Sequence, residues 1–266
     1  MEKGKIPCTV HVLTYNSAKT IERCLRGLSR FDDILILDGG STDGTTDIAQ
    51  RFGARIEPQR EGGKTGFIED FAAVRNRALG LSKHPWIFYL DSDEYVESDF
   101  ADAAVRVMAG GPAACKVPRL AVYRGSVIRS ASTYPNFQIR FFYRDAVFPF
   151  KKKVHERVTP KADASVRVFP APLYVPLDDL TILSRKWSRY LDHQMRDSRP
   201  TFTLWFLKVR ANVIKFLKYM IKTVGARFFG KPPHMPLAYE WENARYHLRI
   251  ISRVTAALVK KYVHDN

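Results

Sequence analysis

The feature of this sequence that most constrains its fold is a unit repeated within the first hundred residues. Each unit has a short apolar run, a polar loop and a segment with helical spacing of apolar residues, and the runs lie at residues 8–13, 33–38 and 86–90. Apolar runs that alternate with helical segments are typical of a mostly parallel sheet with crossover helices. The sequence therefore predicts an α/β domain with a Rossmann-like sheet.

The pattern changes in the second half of the chain. From about residue 112 it becomes hairpin-like, with strand candidates at residues 116–120 and 138–143 that suit an antiparallel extension of a parallel sheet. Beyond residue 184 it becomes helical and basic. We therefore expect an α/β domain of residues 1–183 and a helical region of residues 184–266.

Polar loops follow the apolar runs, and these loops hold the candidate functional residues. In open α/β sheets, ligands bind beyond the carboxyl ends of the strands. Tyr15, Asp38 and Asp91 all lie at such ends. We therefore expect three loops that are distant in sequence to form one site.

Asp91 and Asp93 are the strongest candidates for metal ligands. They are two residues apart just past a buried strand, so their loop can direct two carboxylates at one hard cation that bridges phosphates. The alternative is that the pair caps the helix that follows, because carboxylates favour helix starts. Local placement leaves both readings open.

Taken together, the three loops resemble the motifs of the family 2 glycosyltransferases, whose nucleotide-sugar-binding fold is known as GT-A. Thr14-Tyr15-Asn16 resembles their first motif, residues 37–45 are similar to their second, and Asp91-Ser92-Asp93-Glu94 resembles their metal motif. The resemblance covers residues 9–97. It implies a GT-A fold with residues 1–183 as the catalytic domain.

The resemblance also implies roles for individual residues. Asp38 would accept a hydrogen bond from the base or ribose of a uridine nucleotide, with Tyr15 packed on the base and Asp43 near it. Arg75 would secure the loops through the acidic residues, and Mg²⁺ or Mn²⁺ would bind at Asp93 with Asp91 close by. The residues expected to bind the donor are Thr14, Tyr15, Asn16, Asp38, Asp43, Arg75, Asp91 and Ser92.

Two of these residues also have ordinary structural explanations. Asp43 precedes a helical segment and is a candidate helix N-cap. Arg75 lies in a predicted helix over residues 67–81 and is a candidate solvated helical cation.

On the acceptor side, residues 123–125, residues 135–142 and Val154-His155-Glu156 resemble a bacterial subgroup that includes lipopolysaccharide core glucosyltransferases, in which a His-Glu pair is characteristic. An inverting transferase needs a carboxylate that takes the proton of the attacking hydroxyl. We expect Glu156 to be this base, with His155 beside it in the site.

Alternatives to this pair stay open. Asp178-Asp179 is a second candidate acid pair, and Glu156 is also a candidate surface partner of the lysines that precede it. Related sequences often carry a histidine after the stretch that corresponds to residues 177–183, whereas Ser184 follows here. Whether His155 or His193 reaches the metal as a third protein ligand is therefore open.

The positive charge is concentrated in the C-terminal region. The formal net charge is +16, and residues 181–266 hold 17 Lys and Arg against 5 Asp and Glu. Such an excess implies a polyanionic partner, either nucleic acid or an anionic lipid surface. We expect the lipid surface, because no nucleic-acid-binding motif is present.

Residues 202–229 carry the pattern expected of a helix in a membrane surface. Lysines and apolar side chains recur at helical spacing on two different faces. A core-packing helix with a solvated basic face is the alternative. The lysines are Lys208, Lys215, Lys218 and Lys222, and the apolar residues are Phe206, Val209, Val213, Phe216, Met220 and Val224.

Composition also bears on the compartment. Three widely spaced cysteines without a CxxC pattern indicate neither a disulfide framework nor a zinc site. The N-terminal residues lack the apolar core of a signal peptide, and no stretch approaches the roughly 18 apolar residues of a spanning helix. We expect a cytoplasmic protein, peripheral on the inner face of the bacterial plasma membrane.

The expected function is metal-dependent inverting transfer of a sugar from a nucleotide diphosphate sugar, UDP-linked, to a lipid-anchored glycan such as a lipopolysaccharide core. Two alternatives are a nucleotidyltransferase with a related fold and a basic nucleic-acid-binding protein. The first needs a glycine- and arginine-rich phosphate loop after strand one, where residues 14–20 stand instead. A nucleic-acid-binding function would not explain why the carboxylates of Asp38, Asp91 and Asp93 lie at the strand ends, where they would face phosphate.

Overall fold

A computed structural model of the chain describes residues 4–60, 62, 68, 70–151, 157–195 and 200–264. The chain divides into two compact units. The first contains Met1–Leu120 and Asn136–Pro176, and the second contains Ala121–Pro135 and Leu177–Asn266. The expected functional boundary at residues 183 and 184 stays a prediction.

A mixed sheet is the centre of the first unit. Its parallel part has the spatial order β4-β1-β2-β3, and β7 pairs antiparallel with β4 and with β5. The predicted mostly parallel sheet with an antiparallel extension is therefore confirmed. The bounds are β1 Ile6–Thr14, β2 Phe31–Asp38, β3 Arg55–Pro58, β4 Trp86–Asp91, β5 Ala114–Tyr123, β6 Ser126–Val127 and β7 Phe137–Tyr143.

The remaining strands are short. β8 (Val147–Lys151) and β9 (Arg157–Pro160) form a separate two-stranded sheet, while β10 (Val166–Val168) and β11 (Leu173–Pro176) both pair with β5. The helices of the first unit are α1 Ile21–Arg26, α2 Thr45–Arg51, α3 Phe71–Leu81 and α4 Ser98–Ala109.

Helix α3 begins four residues later than the apolar spacing predicts. Asp70 is its N-cap, and the Asp70 carboxylate accepts a hydrogen bond from the backbone N–H of Ala73 at 2.9 Å. This contact satisfies one of the first-turn amides that a helix leaves unpaired. The predicted start at residue 67 was therefore wrong because the capping residue decides where the helix begins.

Aromatic side chains fill the core between the sheet and α4. Phe88 stacks on Phe100 with ring centroids 4.5 Å apart, Phe100 stacks on Phe169 at 4.4 Å, and Trp86 stacks on Phe141 at 5.1 Å. Burying such a side chain stabilises the fold by about 1.5–3 kcal/mol. The strands are consequently held firmly behind the loops at their carboxyl ends.

The second unit is mainly helical, with α5 (Leu180–Met195), α6 (Phe202–Phe229) and α7 (Leu237–His264). The helical C-terminal region is thus confirmed. Within the part of the chain that the structure describes, none of the helices is both long enough and apolar enough to cross a membrane.

Helices α6 and α7 pack against each other along one side of α6. His247 Nδ1 lies 2.9 Å from Asn212 Oδ1, and Trp205 Nε1 donates to the Thr255 hydroxyl at 2.9 Å. Phe216 belongs to this side as well, because its ring lies edge-on to Trp241. For Phe216, this contact fits the core-packing alternative rather than the membrane-surface prediction.

Candidate active site

The carboxyl ends of β1, β2 and β4 lie at the same level of the sheet. In the strand register, Thr14 of β1 pairs with Asp38 of β2, and Leu13 pairs with Asp91 of β4. The loops that follow these strands therefore begin side by side. The structure thus brings together three of the segments that sequence reasoning singled out.

Hydrogen bonds join the loop after β1 to the other two loops. The hydroxyls of Ser17 and Ser92 lie 2.7 Å apart, and the Ser17 backbone N–H donates to the Thr45 hydroxyl at 2.7 Å. Asn16 Oδ1 accepts from the Thr42 backbone N–H at 2.8 Å. Asn16 has φ +48°, a left-handed conformation that Asn tolerates better than most residues. The three loops therefore form one connected structure.

Asp38 ends β2, and its own surroundings saturate its carboxylate. Oδ1 accepts from the hydroxyls of Thr14 at 2.9 Å and Ser41 at 2.5 Å. Oδ2 accepts from the backbone N–H groups of Gly40 and Ser41 at 2.8 Å each. Four donors fill the roughly four acceptor positions of a carboxylate. Asp38 thus shapes this loop, and its bond to a nucleotide stays a prediction that requires one donor to leave.

Asp43 is exposed and organises the start of α2. Its carboxylate accepts from the hydroxyl and backbone N–H of Thr45 at 2.5 and 3.2 Å, and from the Ala18 backbone N–H at 3.0 Å. The hydrogen bond from the Thr45 side chain and that from Ala18 lower the pKa of Asp43. The N-cap itself is Gly44, one residue later. Asp43 therefore stabilises the turn before the helix, and its proximity to a base stays a prediction.

Tyr15 presents an exposed ring at this edge of the sheet, with 55% of its surface accessible. The ring lies against Gly39, where a Cβ would be 3.1 Å from Tyr15 Cδ2 and 3.1 Å from Gln59 Oε1. Any larger residue at position 39 would push these groups away. Gly39 thus allows Tyr15 and Gln59 to approach, and sequence reasoning did not identify Gln59.

Asp91 ends β4 and faces two arginines. Arg75 Nη2 donates to Asp91 Oδ1 at 2.5 Å, and Arg140 Nη2 lies 3.8 Å from Oδ2. Burial raises the pKa of Asp91, but the charges of Arg75, Arg140 and Arg119 outweigh this effect and lower the pKa to about 2. Asp91 is therefore ionised at neutral pH. The Arg75 contact is of the kind that the resemblance implies, while a role in the reaction stays a prediction.

Glu94 closes the turn that carries the two aspartates. It is 2% exposed, and its Oε2 accepts from the Asp91 backbone N–H at 3.0 Å and lies 3.4 Å from Arg140 Nη1. Its Oε1 accepts from Arg119 Nη2. A buried carboxylate is stable only when it is paired in this way. Glu94 therefore links the turn to β5 and β7, which carry these arginines.

The arginines are held by an aromatic ring as well as by the carboxylates. The guanidinium carbons of Arg75 and Arg140 lie 4.7 and 4.5 Å from the centroid of the buried Tyr89 ring. Such cation–π contacts stabilise a desolvated guanidinium. Sequence reasoning did not assign Arg119 and Arg140 to the motif. The available signal was a cation inside an otherwise apolar strand, which requires an opposite charge nearby.

The turn between Asp91 and Glu94 is suited to a divalent cation bound together with phosphate. Asp93 lies in this turn and is partly buried. Magnesium in nucleotide sites is commonly held by one or two carboxylates and by phosphate oxygens, which matches Asp91 and Asp93. Among the residues described by the structure, no three His, Cys, Asp or Glu side chains form a metal-binding group.

The remaining candidates are distributed elsewhere. His155 and Glu156 lie outside the described residues, as does the side chain of His193. Asp179 accepts from the backbone N–H and hydroxyl of Thr181 at 2.8 and 2.7 Å, so it caps the start of α5. The backbone carbonyl of Asp178 accepts from the Tyr239 hydroxyl at 2.8 Å. Both aspartates therefore have structural contacts within the second unit.

Residues 9–162 match the model of a protein family described as glycosyl transferase family 2. Over 161 residues, the chain is 29% identical to the SPbeta prophage-derived glycosyltransferase SunS of Bacillus subtilis, covering 58% of this chain and 36% of SunS. It is 24% identical to the lipopolysaccharide core biosynthesis glycosyltransferase LpsC of Rhizobium meliloti, covering 74% of this chain and 76% of LpsC. The chain thus spans little more than a third of the length of SunS.

Solved structures of similar proteins include S. aureus TarS 1-349 in complex with UDP-GlcNAc. That structure has a TM-score of 0.49 and 13% identity, and the match covers 97% of this chain and 89% of TarS 1-349. Another is glucosyl-3-phosphoglycerate synthase from Mycobacterium tuberculosis with Mn2+, UDP and glucosyl-3-phosphoglycerate. Its TM-score is 0.35, with 23% identity and coverage of 44% of each chain.

Glu94→Gln tests the contribution of the buried charges to the fold. The neutral amide would leave the guanidiniums of Arg119 and Arg140 without their buried counter-charge, so we expect the free energy of unfolding to fall by about 3 kcal/mol or more. Urea denaturation at neutral pH measures the free energy of unfolding of each variant. The control is Glu97→Gln, at an exposed position whose side chain makes no capping hydrogen bond, with an expected change below about 0.5 kcal/mol. Equal effects of the two substitutions would contradict the buried network.

Proposed function

We propose that this chain, which belongs to glycosyl transferase family 2, transfers a sugar from a nucleotide diphosphate sugar to an acceptor hydroxyl with inversion at the anomeric carbon. The observation that carries the proposal is the joined set of loops after β1, β2 and β4. It places the exposed Tyr15 ring on the same sheet edge as the ionised Asp91. Family membership favours this reaction over the nucleotidyltransferase and nucleic-acid-binding alternatives.

The nucleotide of the donor binds, in this proposal, along the loops after β1 and β2. Tyr15 offers an apolar ring on which a base can pack, and Asn16 holds the neighbouring backbone through its bond to Thr42. We propose a uridine diphosphate sugar as the donor.

The diphosphate of the donor lies, in this proposal, at the turn that holds Asp91 and Asp93. Mg²⁺ or Mn²⁺ bound by Asp93, with Asp91 close by, would neutralise charge that develops on the leaving diphosphate. Arg75 and Arg140 keep Asp91 ionised and oriented, since both guanidiniums face its carboxylate. Protein groups that are already in place when substrate binds lower the reorganisation that the reaction needs.

In the transfer step, the acceptor oxygen forms a bond to the anomeric carbon from the face opposite the diphosphate. The bond from that carbon to the diphosphate oxygen breaks, and its electron pair leaves with the nucleoside diphosphate. A base takes the hydroxyl proton as the new bond forms. We assign this role to Glu156, with His155 beside it, on the resemblance of residues 154–156 to the acceptor-side motif.

The acceptor that we propose is a lipid-anchored glycan, as in bacterial envelope or lipopolysaccharide synthesis. The relative LpsC is a lipopolysaccharide core biosynthesis glycosyltransferase by name, and the alignment covers about three quarters of both chains. An acceptor with a lipid anchor requires the enzyme to work at a membrane surface. We therefore propose a peripheral protein on the inner face of the plasma membrane.

Helix α6 supplies the surface for this membrane contact. It contains six Lys and Arg residues and no Asp or Glu, and Asn212 is its buried residue. Exposed apolar side chains recur at helical spacing on the side away from Asn212 and Trp205, which contact α7. They are Phe206, Val213, Leu217, Met220, Ile221, Val224 and Phe228.

The lysines of α6 do not lie in the middle of this apolar stripe. Lys222 Nζ donates to the Tyr134 backbone carbonyl at 3.4 Å, within the same compact unit. At 3.6 residues per turn, Lys208 and Lys215 share its side of the helix and Lys218 lies between that side and the stripe, whereas the exposed Arg210 lies within the stripe. We therefore propose that the apolar stripe enters the interface and that the net charge of α6 favours anionic lipids.

Donor use is tested by incubating the protein with a panel of nucleotide sugars. We expect hydrolysis or transfer with UDP sugars that requires Mg²⁺ or Mn²⁺ and stops when a chelator removes the metal. Asp93→Asn should lower this activity at least a hundredfold, because it removes the proposed metal ligand. Release of UDP, measured by chromatography, is the readout. Absence of binding and turnover with every nucleotide sugar would refute the proposed reaction.

Glu156→Gln tests the assignment of the base. The amide cannot accept the hydroxyl proton, so we expect loss of transfer by about 10²–10⁴-fold with an unchanged dissociation constant for UDP. Asp179→Asn is the matched control for the alternative acid pair and should retain activity. Full activity of Glu156→Gln together with an inactive Asp179→Asn would assign the base to the second pair instead.

Membrane contact is tested by sedimentation with lipid vesicles. We expect binding to vesicles that contain phosphatidylglycerol and weaker binding to phosphatidylcholine vesicles. Leu217→Ser combined with Ile221→Ser should weaken binding more than tenfold, because two exposed apolar side chains would no longer enter the interface. The control is Val259→Ser on α7, which is 54% exposed. Equal binding of all variants would exclude the α6 stripe as the contact.

A further inference from the structure

Gln59 is a buried polar residue that follows β3 at the carboxyl edge of the sheet. It is 4% exposed. Its side-chain Nε2 donates to the backbone carbonyls of Thr14 at 2.9 Å and Leu37 at 3.2 Å, and its backbone N–H donates to the Asp38 carbonyl at 3.0 Å. Gln59 therefore ties together the ends of β1 and β2, from which two of the site loops begin.

These contacts determine how the side-chain amide is oriented. Both neighbours of Nε2 are carbonyl acceptors, so the NH₂ group must face them, and the opposite orientation would set two acceptors against each other. The carbonyl Oε1 consequently points the other way, toward Gly39, where it lies 3.1 Å from the position of a Cβ. The amide is thus held as an acceptor toward the loop after β2.

Oε1 lies next to the exposed ring of Tyr15, because Tyr15 Cδ2 is 3.1 Å from the same Gly39 Cβ position. Among the described residues, Oε1 accepts no hydrogen bond from a protein donor, although Nε2 makes two. Oε1 is therefore an acceptor that a donor from outside the protein can meet without displacing a protein group.

Asp38, the other acceptor at this edge, differs in this respect. Its two carboxylate oxygens already accept four hydrogen bonds from Thr14, Gly40 and Ser41. An incoming N–H group would have to displace one of them. Gln59 Oε1 can accept such a group without breaking any contact that the structure shows.

We infer that Gln59 Oε1, rather than the Asp38 carboxylate, accepts the N3–H of the uracil ring of the donor. This inference rests on the proposed use of a uridine nucleotide and deepens it by naming the residue that reads the base. Uracil carries an N–H donor at N3, whereas cytosine carries an acceptor there. Because its NH₂ group is held by Thr14 and Leu37, Gln59 cannot rotate to serve cytosine. The fixed amide therefore selects for uridine.

The test combines a protein variant with a modified ligand. Gln59→Met keeps the length of the side chain and removes the acceptor, and N3-methyl-UDP removes the donor. For the unaltered protein, we expect N3-methylation to weaken binding about tenfold, measured by calorimetry. Gln59→Met should weaken binding of UDP to a similar extent, and N3-methylation should then have little additional effect. CDP should bind Gln59→Met about as well as UDP does.

The control is Gln50→Met, which changes an exposed glutamine on α2 and should leave all these affinities unchanged. Melting temperatures are recorded for each variant, because Gln59→Met also removes the Nε2 bonds. If Gln59→Met fails to fold, Gln59→Asn retains an amide, shortens its reach and should show the same non-additivity. Additive losses would assign the N3–H to another residue and overturn this inference alone. Absence of UDP binding to the unaltered protein would overturn both this inference and the proposed function.

Discussion

Strand β1 is bonded in parallel to β2 on one side and to β4 on the other, and the candidate site depends on the register of these two pairings. With Thr14 opposite Asp38 and Leu13 opposite Asp91, the three strands end at one level. A shift of one residue would turn every side chain of β1 to the other face of the sheet. The buried residues of β1, among them Cys8, Val10 and Val12, resist such a shift. The core thus determines where the polar loops meet.

Charge balance is the second requirement of the site. Asp91 and Glu94 face three guanidiniums, which come from α3, β5 and β7, and the ring of Tyr89 lies under two of them. Removing charged groups from water is unfavourable unless each is paired, so this arrangement is stable only when all three elements are packed. The acidic turn is therefore part of the folded framework as well as a candidate metal site. A turn held in this way needs little rearrangement to bind a ligand.

Sequence reasoning located the strands and loops well because apolar periodicity and turn residues are local signals. It placed the start of α3 too early, since the Asp70 cap outweighs apolar spacing. It grouped Phe216 with the apolar face of α6 that it expected at a membrane, since spacing cannot tell which side of a helix a neighbour will cover. It also did not connect Arg119, Arg140 or Gln59 with the loops at the carboxyl ends of the strands. Leu37 lies 22 residues from Gln59, and Glu94 lies 25 residues from Arg119 and 46 from Arg140, so only the folded sheet brings these partners together.

The sequence by itself determined the class of fold, the order of the three loops and the family resemblance. Each of these can be inferred from the residue types of short segments. Only the tertiary structure decided which polar atoms are already occupied. Asp38 and Gln59 both stand at strand ends and both carry acceptors, yet the carboxylate has four protein donors and the Gln59 carbonyl oxygen has none among the described residues. The reason is physical: saturation of a hydrogen-bonding group depends on atoms from several loops, and their positions follow from packing of the whole unit.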